Sequence, residues 1–532
     1  MEIIFMSVPE SIRKVPRPKN TVVEDSGRNS EMRYSVRERA GEKYVRGHNP
    51  SPRNGKVIGH IRNGKFVSIE EDKKKKKDPK PDVLSYGAAA FVRSVSSDLY
   101  ADLLDIFSPD DSCTMMAIAA IRILRPGICS SRIAAAYKKT FVRQFWPGAN
   151  ISSNSISKLF DRIGQLGPER REFFAKRAAA VMKDHHVAID GMLKQDGSKV
   201  NDLSAFSRKS RTKGRKEISS LYAYDIEKME PVCAEVFPGN IPDVSAYASF
   251  IRSNDIRQGI IVSDKGFPPS TIAEELKNRP DLHFITPLKR NDSRIRNNNM
   301  LEFEGGLSEL DETLSFCKRA IKGGRFLYAF KSREGSDTEY NAFVLAHKND
   351  SNYKELYNKH KDLFGVIVFE SDLDLDPATV YAAYDDRWEI ELVFDRYKND
   401  LCLDRTRVQG DFSVIGSEFV NFLSTTMTCR MLKKATDAKQ LDDRTWGELL
   451  EDLSEVWRDT DALENPKSDD GHWHNATLYE YEEMEALGLS EPAPKPEPKK
   501  RGRPAKKQSE SGTAKRPRGR PRKNTKQEQT NN

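Results

Sequence analysis

The sequence predicts an α/β fold in which a small helical domain precedes a central sheet. Ala- and Leu-rich stretches at 115–124 and 132–145 have the composition and apolar spacing of helices. Shorter apolar runs, with the length and composition of strands, lie at 186–189, 218–226, 232–237, 259–263 and 284–287. A helical stretch at 270–276 separates the last two runs, and this alternation is typical of an α/β sheet.

The first 81 residues are polar and basic, and we expect them to be largely flexible. Their one ordered element is a predicted hairpin, formed by Val57–Ile61 and Phe66–Ile69, because Asn63-Gly64 favours a two-residue hairpin turn. The lysine run Lys73–Lys77, followed by Asp78-Pro79, is typical of a solvated linker. Contact with nucleic acid is the alternative for this run.

Residues 82–185 form the predicted helical domain, in which Ser152–Ser153 is placed to cap the helix that follows. The surface of this domain carries four cations that fit either DNA binding or an ordinary helix face. They are Lys138, Lys139, Arg143 and Arg162.

The sheet domain is predicted to begin with residues 186–299. Residues 300–372 are expected to be a β-rich insertion within it, with strands at 314–321, 326–331, 340–346 and 365–369. Three further segments are predicted. The first, 373–460, is helical, with one helix near Pro377 and others at 417–435 and 445–457. An acidic linker at 461–494 and a disordered basic tail at 495–532 follow.

Charge is concentrated at the C-terminal end of the chain. The net charge is +8 over 532 residues, but residues 495–532 alone hold 14 Lys/Arg and 3 acids. Residues 1–494 therefore carry a net charge of −3. A nearly neutral body with a strongly basic tail argues for a polyanionic partner of the tail, with a merely solubilising tail as the alternative.

The cysteine content and hydropathy of the chain exclude several classes of protein. The six cysteines lie far apart without a C-x-x-C pair, which predicts a reduced, intracellular protein without a structural zinc site. Met1–Glu10 lacks the pattern of a signal peptide, and no uninterrupted apolar span reaches membrane length. We therefore expect neither secretion nor membrane insertion.

The segment from Tyr384 to Lys398 has the most specific pattern in the chain. In an ideal helix, Tyr384, Arg387, Glu391 and Lys398 fall within an arc of about 60° on one face. An adjoining arc of about 100° contains side chains suited to a core. These are Ile390, Val393, Phe394, Tyr397 and Leu401. Taken alone, the segment also fits an ordinary amphipathic helix with incidental ion pairs.

Two further acids, Asp190 and Asp264, each close a short apolar run. A single Asp after a strand is more often a turn or helix cap, but carboxylates at strand ends can also converge at the edge of a sheet. Together with Glu391 they supply three acids, enough to hold two Mg²⁺ or Mn²⁺ ions about 4 Å apart for phosphodiester chemistry. The neighbouring His185 and His186 point to opposite sides of an extended strand, and we interpret them as incidental.

The pattern Tyr-x2-Arg-x3-Glu-x6-Lys, formed by Tyr384, Arg387, Glu391 and Lys398, resembles a signature of the DDE transposases of bacterial insertion sequences, in the group called insertion sequence four. The resemblance extends over about residues 83–435 by order and spacing. Its other motifs are Ile189–Gly191, Pro238–Asp243 and Val262–Phe267. One departure is Lys265, where the family commonly has arginine.

This resemblance implies a ribonuclease H-like catalytic core interrupted by a β-rich insertion. It implies that Asp190, Asp264 and Glu391 are the catalytic and metal-binding acids. Tyr384, Arg387 and Lys398 are then expected to grip DNA phosphates near the cleavage point.

The activity that the resemblance implies is metal-dependent DNA cleavage at element ends and strand transfer into target DNA. The expected partner is double-stranded DNA, comprising the terminal inverted repeats and the target, on which a homodimer assembles. The expected location is the bacterial cytoplasm, in association with the nucleoid.

Two repeats in the tail resemble the AT-hook of chromatin proteins: Arg501-Gly502-Arg503 and Arg518-Gly519-Arg520. An extended Arg-Gly-Arg can lie in a narrow A·T minor groove, where glycine lets the backbone approach closely. The alternative is a low-complexity polycation that binds phosphate without sequence preference. The cationic loop Arg208–Lys216 is predicted to approach bound DNA, with a solvated surface loop as its alternative.

Two other function classes stay open at this point. One is a non-catalytic architectural protein that binds DNA through AT-hooks. The other is a nuclease with the same core that never transfers a strand. A complete set of acids favours catalysis over the architectural class, which would tolerate their loss, but does not distinguish a nuclease from a transposase.

Overall fold

The structure is a computed structural model that describes residues 8–26, 33–43, 51–69, 83–210, 214–307, 311–460 and 478–489. Three sequence predictions lie outside these residues: the lysine run 73–77, most of the linker 461–494, and the whole tail 495–532 with both AT-hook-like repeats.

A four-stranded antiparallel sheet occupies the N-terminal part of the chain. After a short helix, Glu10–Arg13, its strands follow in chain order: β1 Thr21–Asp25, β2 Tyr34–Lys43, β3 Ser51–Arg62 and β4 Lys65–Ser68. The predicted hairpin is confirmed, since Ile61 pairs with Phe66 across a turn in which Asn63 and Gly64 both have positive φ. The other strands escape prediction because charged residues interrupt their apolar alternation, as they do along β2.

Seven helices follow between residues 87 and 179, which confirms the helical character predicted for this segment. They are Gly87–Ser94, Ser97–Ile106, Pro109–Leu124, Ser130–Tyr137, Val142–Phe145, Ser153–Gln165 and Gly167–Ala179. The predicted cap is present, because the Ser152 hydroxyl accepts a hydrogen bond from the Ser155 amide. The predicted helix 132–145 is wrong as a single element, since a turn separates two shorter helices there.

A nine-stranded mixed sheet is the centre of the molecule. Its strands are β6 His186–Gln195, β7 Glu217–Asp225, β8 Glu230–Pro238, β9 Gln258–Ser263, β10 Asp281–Pro287, β11 Gly305–Leu307, β12 Asp311–Ile321, β13 Arg325–Ser332 and β14 Val366–Ser371. They are ordered β11-β12-β13-β14-β10-β9-β6-β7-β8. Strands β6, β9 and β10 run parallel to one another, and every other neighbouring pair is antiparallel. The predicted α/β fold is therefore confirmed as a mixed α/β architecture.

The strands predicted between residues 300 and 372 continue the main sheet through the pairing of β14 with β10. One of these predicted strands is wrong, because residues 340–346 lie in the helix Arg333–His347. Ser332 caps this helix, and its hydroxyl accepts a hydrogen bond from the Gly335 amide. A second helix, Tyr353–His360, follows before β14. The segment therefore combines strands with a helical pair.

Further helices lie between the strands of the sheet and after them in the chain. They are Asp243–Ser253, Ala273–Asn278, Ser293–Asn297, Pro377–Asp386, Glu389–Asp395, Asp411–Asp437, Trp446–Glu455 and Leu478–Ala486, with 3₁₀ turns at Pro269–Ile272 and Lys361–Leu363. Within the described ranges, no helix is both long and apolar enough to cross a membrane.

The long helix, Asp411–Asp437, joins the helical segment to the sheet because it packs against the Pro109–Leu124 and Ser153–Gln165 helices and against β8. Its contact with the Ser153–Gln165 helix needs glycine. A Cβ at Gly416 would lie 1.9 Å from the Phe160 carbonyl oxygen, and one at Gly164 would lie 1.8 Å from that of Phe412. A two-stranded pair, β5 Val83–Ser85 with β15 Trp457–Asp459, ties the start of this region to its end.

Candidate active site

Parallel pairing in the main sheet brings Asp190 and Asp264 together. Ile189 on β6 is paired with Ser263 on β9, so Asp190 and Asp264 each directly follow the last pair of this parallel ladder. Asp264 directly follows β9, as predicted. The predicted strand end at Asp190 is wrong, because β6 continues to Gln195 through its pairing with β7. What ends at Ile189 is the pairing with β9, and this leaves Asp190 at an opening in the sheet.

The third predicted acid, Glu391, is placed by the buried side of the Glu389–Asp395 helix. The apolar stripe predicted from the sequence is confirmed, since all five of its side chains are buried: Ile390, Val393, Phe394, Tyr397 and Leu401. The Glu391 side chain is 41% exposed and the Asp190 side chain 23%, so both carboxylates are open to solvent and to a ligand.

The backbone around Glu391 departs from the single helix that the sequence predicts. Trp388, Ile390 and Glu391 donate to carbonyl oxygens three residues earlier, which tightens the chain between Asp386 and Glu389. A π-helical turn, Arg396–Asp400, then carries Lys398. The common face predicted for Tyr384 to Lys398 therefore holds for Arg387 and Glu391, whose side chains meet, while Lys398 lies beyond a change of helical pitch.

Arg387 lies between two of the acids. Its Nη1 is 3.6 Å from Oδ2 of Asp190, and its Nη2 is 4.0 Å from Oε1 of Glu391. The guanidinium carbon is also 5.4 Å from the centre of the Tyr384 ring. The side chain is 12% exposed, and its buried Nε finds no hydrogen-bond partner among the described residues.

Tyr384 connects this group to Asp264. Burial is the main cause that raises the pKa of the Tyr384 phenol. The Arg387 charge and a side-chain hydrogen bond with Arg387 lower this pKa, and the Asp264 and Glu391 carboxylates raise it. One phenol is therefore within electrostatic reach of both acids and of the arginine. The structure brings Asp190, Asp264, Tyr384, Arg387 and Glu391 to one place.

The three carboxylates offer hard oxygen donors that suit Mg²⁺ or Mn²⁺, ions that take few protein carboxylates and keep several waters. They do not form a closed cage. Within the described ranges, one group of three side chains has its possible metal-ligand atoms within 4.8 Å of one another. This group is His185, Asp225 and Glu227. The predicted acids are spread more widely, with the Arg387 guanidinium between two of them.

The histidines beside β6 belong to a separate set of contacts. His185 Nδ1 lies 2.9 Å from Asp225 and His186 Nδ1 lies 2.6 Å from Glu227, because β6 starts where β7 ends. The Lys228 amide also donates to Asp225, and the His186 amide to Glu227. These bonds fix the turn after β7, so we assign the group a structural role.

A cavity of about 510 Å³ opens beside Asp264 and Tyr384. Three cations contribute to its lining, Lys265, Lys289 and Arg290, together with aromatic and apolar side chains. Lys289 and Arg290 are not among the residues predicted from the sequence. The available signal was their position just after β10, the parallel neighbour of β9, which is the same argument that selects Asp264.

The other predicted DNA contacts are only partly described. Arg208, Lys209, Arg215 and Lys216 are exposed on the loop after β6, whereas residues 211–213 of that loop are outside the described ranges. Of the four cations on the helical segment, Arg162 forms an ion pair with Asp111.

Comparison with known proteins gives a family match and several remote structural likenesses. No curated protein sequence matches the chain. A piggyBac transposase synaptic complex with hairpin DNA is 11% identical with a TM-score of 0.36, over 76% of this chain and 85% of that chain. The Mos1 transposase paired-end complex with left transposon end is 13% identical with a TM-score of 0.14, over 30% of this chain and 58% of that chain.

The family match covers the region that contains the site. It begins before β6 and ends within the long helix, and it includes Asp190, Asp264 and Glu391. Residues 183–414 match the family described as Transposase DDE domain, and this match supports a DDE transposase.

Proposed function

We propose that the chain is a transposase that cleaves DNA at the ends of its own element and joins the freed strand to target DNA. The observation that carries the proposal is the register of β6 and β9, which sets Asp190 beside Asp264 within the matched transposase domain. Glu391 supplies the third carboxylate from the helix above them, and Arg387 links it to Asp190.

We further propose that the centre of the sheet is a ribonuclease H-like core. Strands β6, β7 and β8 form an antiparallel meander, and β9 and β10 add to the other side of β6 in parallel, giving the order β8-β7-β6-β9-β10. Strands β11 to β14 then extend this core at the β10 edge. This order supports the fold that the sequence resemblance implies.

Asp190, Asp264 and Glu391 would hold the divalent ions, expected to be two Mg²⁺ or Mn²⁺. Such ions, when bound, help activate an attacking hydroxyl and neutralise charge on the leaving oxygen of a phosphodiester. The chain's own contribution is to position the DNA. Tyr384, Arg387 and Lys398 are proposed to bind phosphates near the cleavage point, and Lys265, Lys289 and Arg290 offer cations along the adjoining cavity.

The test is cleavage by the full-length protein of a duplex that carries the inverted repeats flanking its gene. With Mg²⁺ we expect a nick that leaves a 3′-hydroxyl at the element end, followed by a joined product with target DNA. Addition of EDTA should abolish both products, because the carboxylates need a divalent ion to act on phosphate. Gel analysis of end-labelled DNA measures each step.

Each alternative predicts a different result in this assay. A nick without a joined product would indicate a nuclease of the same core. Binding without any Mg²⁺-dependent nick would indicate a non-catalytic DNA-binding protein and would contradict the proposed function.

We propose that the tail 495–532 carries two minor-groove binders, Arg501-Gly502-Arg503 and Arg518-Gly519-Arg520. Two weak binding units on one linker raise the effective concentration of DNA near the catalytic body. Deleting the tail should weaken binding to A·T-rich duplex about tenfold or more, and weaken binding to G·C-rich duplex less. Cleavage of end DNA at saturating concentration should persist.

The measurement compares full-length and truncated protein on both duplexes at one salt concentration. Equal losses on A·T-rich and G·C-rich DNA would show that the tail is a polycation without groove preference. Loss of cleavage at saturation would place part of the active site in the tail.

A further inference from the structure

We propose that Arg387 is a resident counter-ion of the metal site. Its guanidinium occupies the space between Asp190 and Glu391 until divalent metal enters, and then moves to a DNA phosphate. This inference rests on the proposed function, because it takes Asp190 and Glu391 as metal ligands. It goes further in making one side chain alternate between the acids and the DNA.

The contacts between Arg387 and the two acids are loose, and the Tyr384 phenol adds one side-chain hydrogen bond to Arg387. Strong guanidinium–carboxylate bonds have N–O distances of about 2.7–2.9 Å and often join both nitrogens to one carboxylate. Arg387 instead lies 3.6 Å from one acid and 4.0 Å from the other. By contrast, Arg430 holds both Asp98 oxygens at 2.7 and 2.8 Å. The Arg387 guanidinium therefore neutralises the acids through space without a bidentate bond that would lock it there.

The guanidinium also has hydrogen-bonding capacity left over. The Arg387 side chain is 12% exposed. Its Nε is buried and finds no acceptor within the described ranges. A buried donor without an acceptor is unfavourable. A phosphate oxygen entering beside the Tyr384 ring would supply an acceptor, so the arrangement without DNA favours a later move of Arg387.

Charge decides whether metal and guanidinium can share the site. Three carboxylates carry −3, and one arginine reduces this to −2, which limits their mutual repulsion when no metal is present. A divalent cation placed among the same oxygens would lie close to a fixed positive charge, and repulsion at such distances is strong in a partly desolvated site. Metal entry and departure of the guanidinium are therefore coupled.

The experiment measures Mn²⁺ binding to full-length protein without DNA, by calorimetry or by the electron paramagnetic resonance signal of free Mn²⁺. Arg387→Gln should bind Mn²⁺ at least about tenfold more tightly than the wild type, because the competing charge is gone. Arg387→Met should do the same while keeping an aliphatic stem against Tyr384. Arg387→Lys should restore affinity to within about threefold of the wild type.

Lys398→Gln is the matched control, since it removes one charge from the π-helical turn Arg396–Asp400, which follows the helix of Glu391. It should change Mn²⁺ affinity by less than about threefold. A general disturbance of the fold by Arg387→Gln would weaken binding, whereas the counter-ion role requires binding to tighten. If both uncharged variants bind Mn²⁺ as the wild type does, or more weakly, the inference is wrong.

This outcome is separable from failure of the proposed function. A wild type that cleaves end DNA with Mg²⁺, together with uncharged variants of unchanged Mn²⁺ affinity, contradicts the counter-ion role alone. A wild type that binds no Mn²⁺ and does not cleave contradicts the proposed function itself.

Discussion

Asp264→Asn is expected to reduce cleavage of element-end DNA by about 10³-fold or more, while affinity for the same DNA stays within about threefold. Removing a metal ligand forfeits several kcal/mol of transition-state stabilisation, and each 1.36 kcal/mol corresponds to about tenfold in rate. The fold should tolerate the change. Asp264 is only partly buried, and the hydrogen bond that its Oδ1 accepts from the Lys265 amide can be kept by the amide oxygen of asparagine.

The helix that carries Glu391 offers a matched control. Glu391→Gln should lose cleavage as Asp264→Asn does, whereas Glu389→Gln, two residues earlier, should keep it. Glu389 accepts a hydrogen bond from the Tyr224 hydroxyl at 3.1 Å. Rates from single-turnover cleavage at saturating DNA measure both variants. If Asp264→Asn cleaves at the wild-type rate, or if Glu389→Gln loses cleavage as fully as Glu391→Gln, the assignment of the acids is wrong.

The sequence alone selects the acids as candidates because the features that select them are local. Asp264 closes a short apolar run, and such runs are recognisable without knowledge of the neighbouring strands. Asp190 lies inside β6, and it is the pairing of β6 with β9, not the strand, that ends just before it. A local apolar run therefore does not predict the position of Asp190 correctly. The parallel register that joins the two acids depends on the whole sheet and is not encoded in either run.

Elements fixed by distant contacts are the ones that the sequence did not predict. Residues 340–346 form an apolar run that fits a strand or a helix equally well. The helix is selected by the Ser332 cap and by Glu339, which accepts from the Gly365 amide and pairs with Arg290. These partners are separated from Glu339 by up to 49 residues, so no local pattern identifies them.

Arg387 illustrates the same limit within the site. Helical spacing predicts that it lies near Glu391, one turn later, and the ion pair confirms this. Its approach to Asp190 follows from the packing of the helix on β6, which the sequence does not specify. The counter-ion role could therefore be inferred only from the structure.

A buried ion pair beneath the active-site helix gives the second large expected effect. Lys194 on β6 and Glu418 on the long helix are 3% and 6% exposed, and Lys194 Nζ lies 2.6 Å from Glu418 Oε1. Lys194 also donates to the Tyr397 hydroxyl at 2.7 Å, and that hydroxyl donates to Glu418. Asn421 completes the group by donating to Glu418 at 3.0 Å.

This network connects the strand of Asp190 to the turn that carries Lys398. Burial lowers the pKa of Lys194, while the Glu418 charge and its hydrogen bond oppose this effect. The lysine ammonium therefore depends on its partner to remain charged in the interior.

Glu418→Gln should lower the free energy of unfolding by about 3–5 kcal/mol, because it leaves the Lys194 charge buried without its counter-charge. Lys194→Met should have an effect of similar size for the complementary reason. The double variant Lys194→Met/Glu418→Leu removes both charges and should lose less than either single variant. Urea unfolding followed by circular dichroism measures all three.

The exposed pair Lys183–Asp281 is the control, with an N–O distance of 2.9 Å and side chains that are 66% and 47% exposed. Asp281→Asn should change the free energy of unfolding by less than about 1 kcal/mol, because water screens the pair and solvates whichever charge is left. If Glu418→Gln costs no more than Asp281→Asn, water must reach Lys194. The network would then not be the rigid link between β6 and the long helix that its burial indicates. A double variant that is less stable than both single variants would instead show that the pair contributes packing and hydrogen bonds that apolar side chains cannot replace.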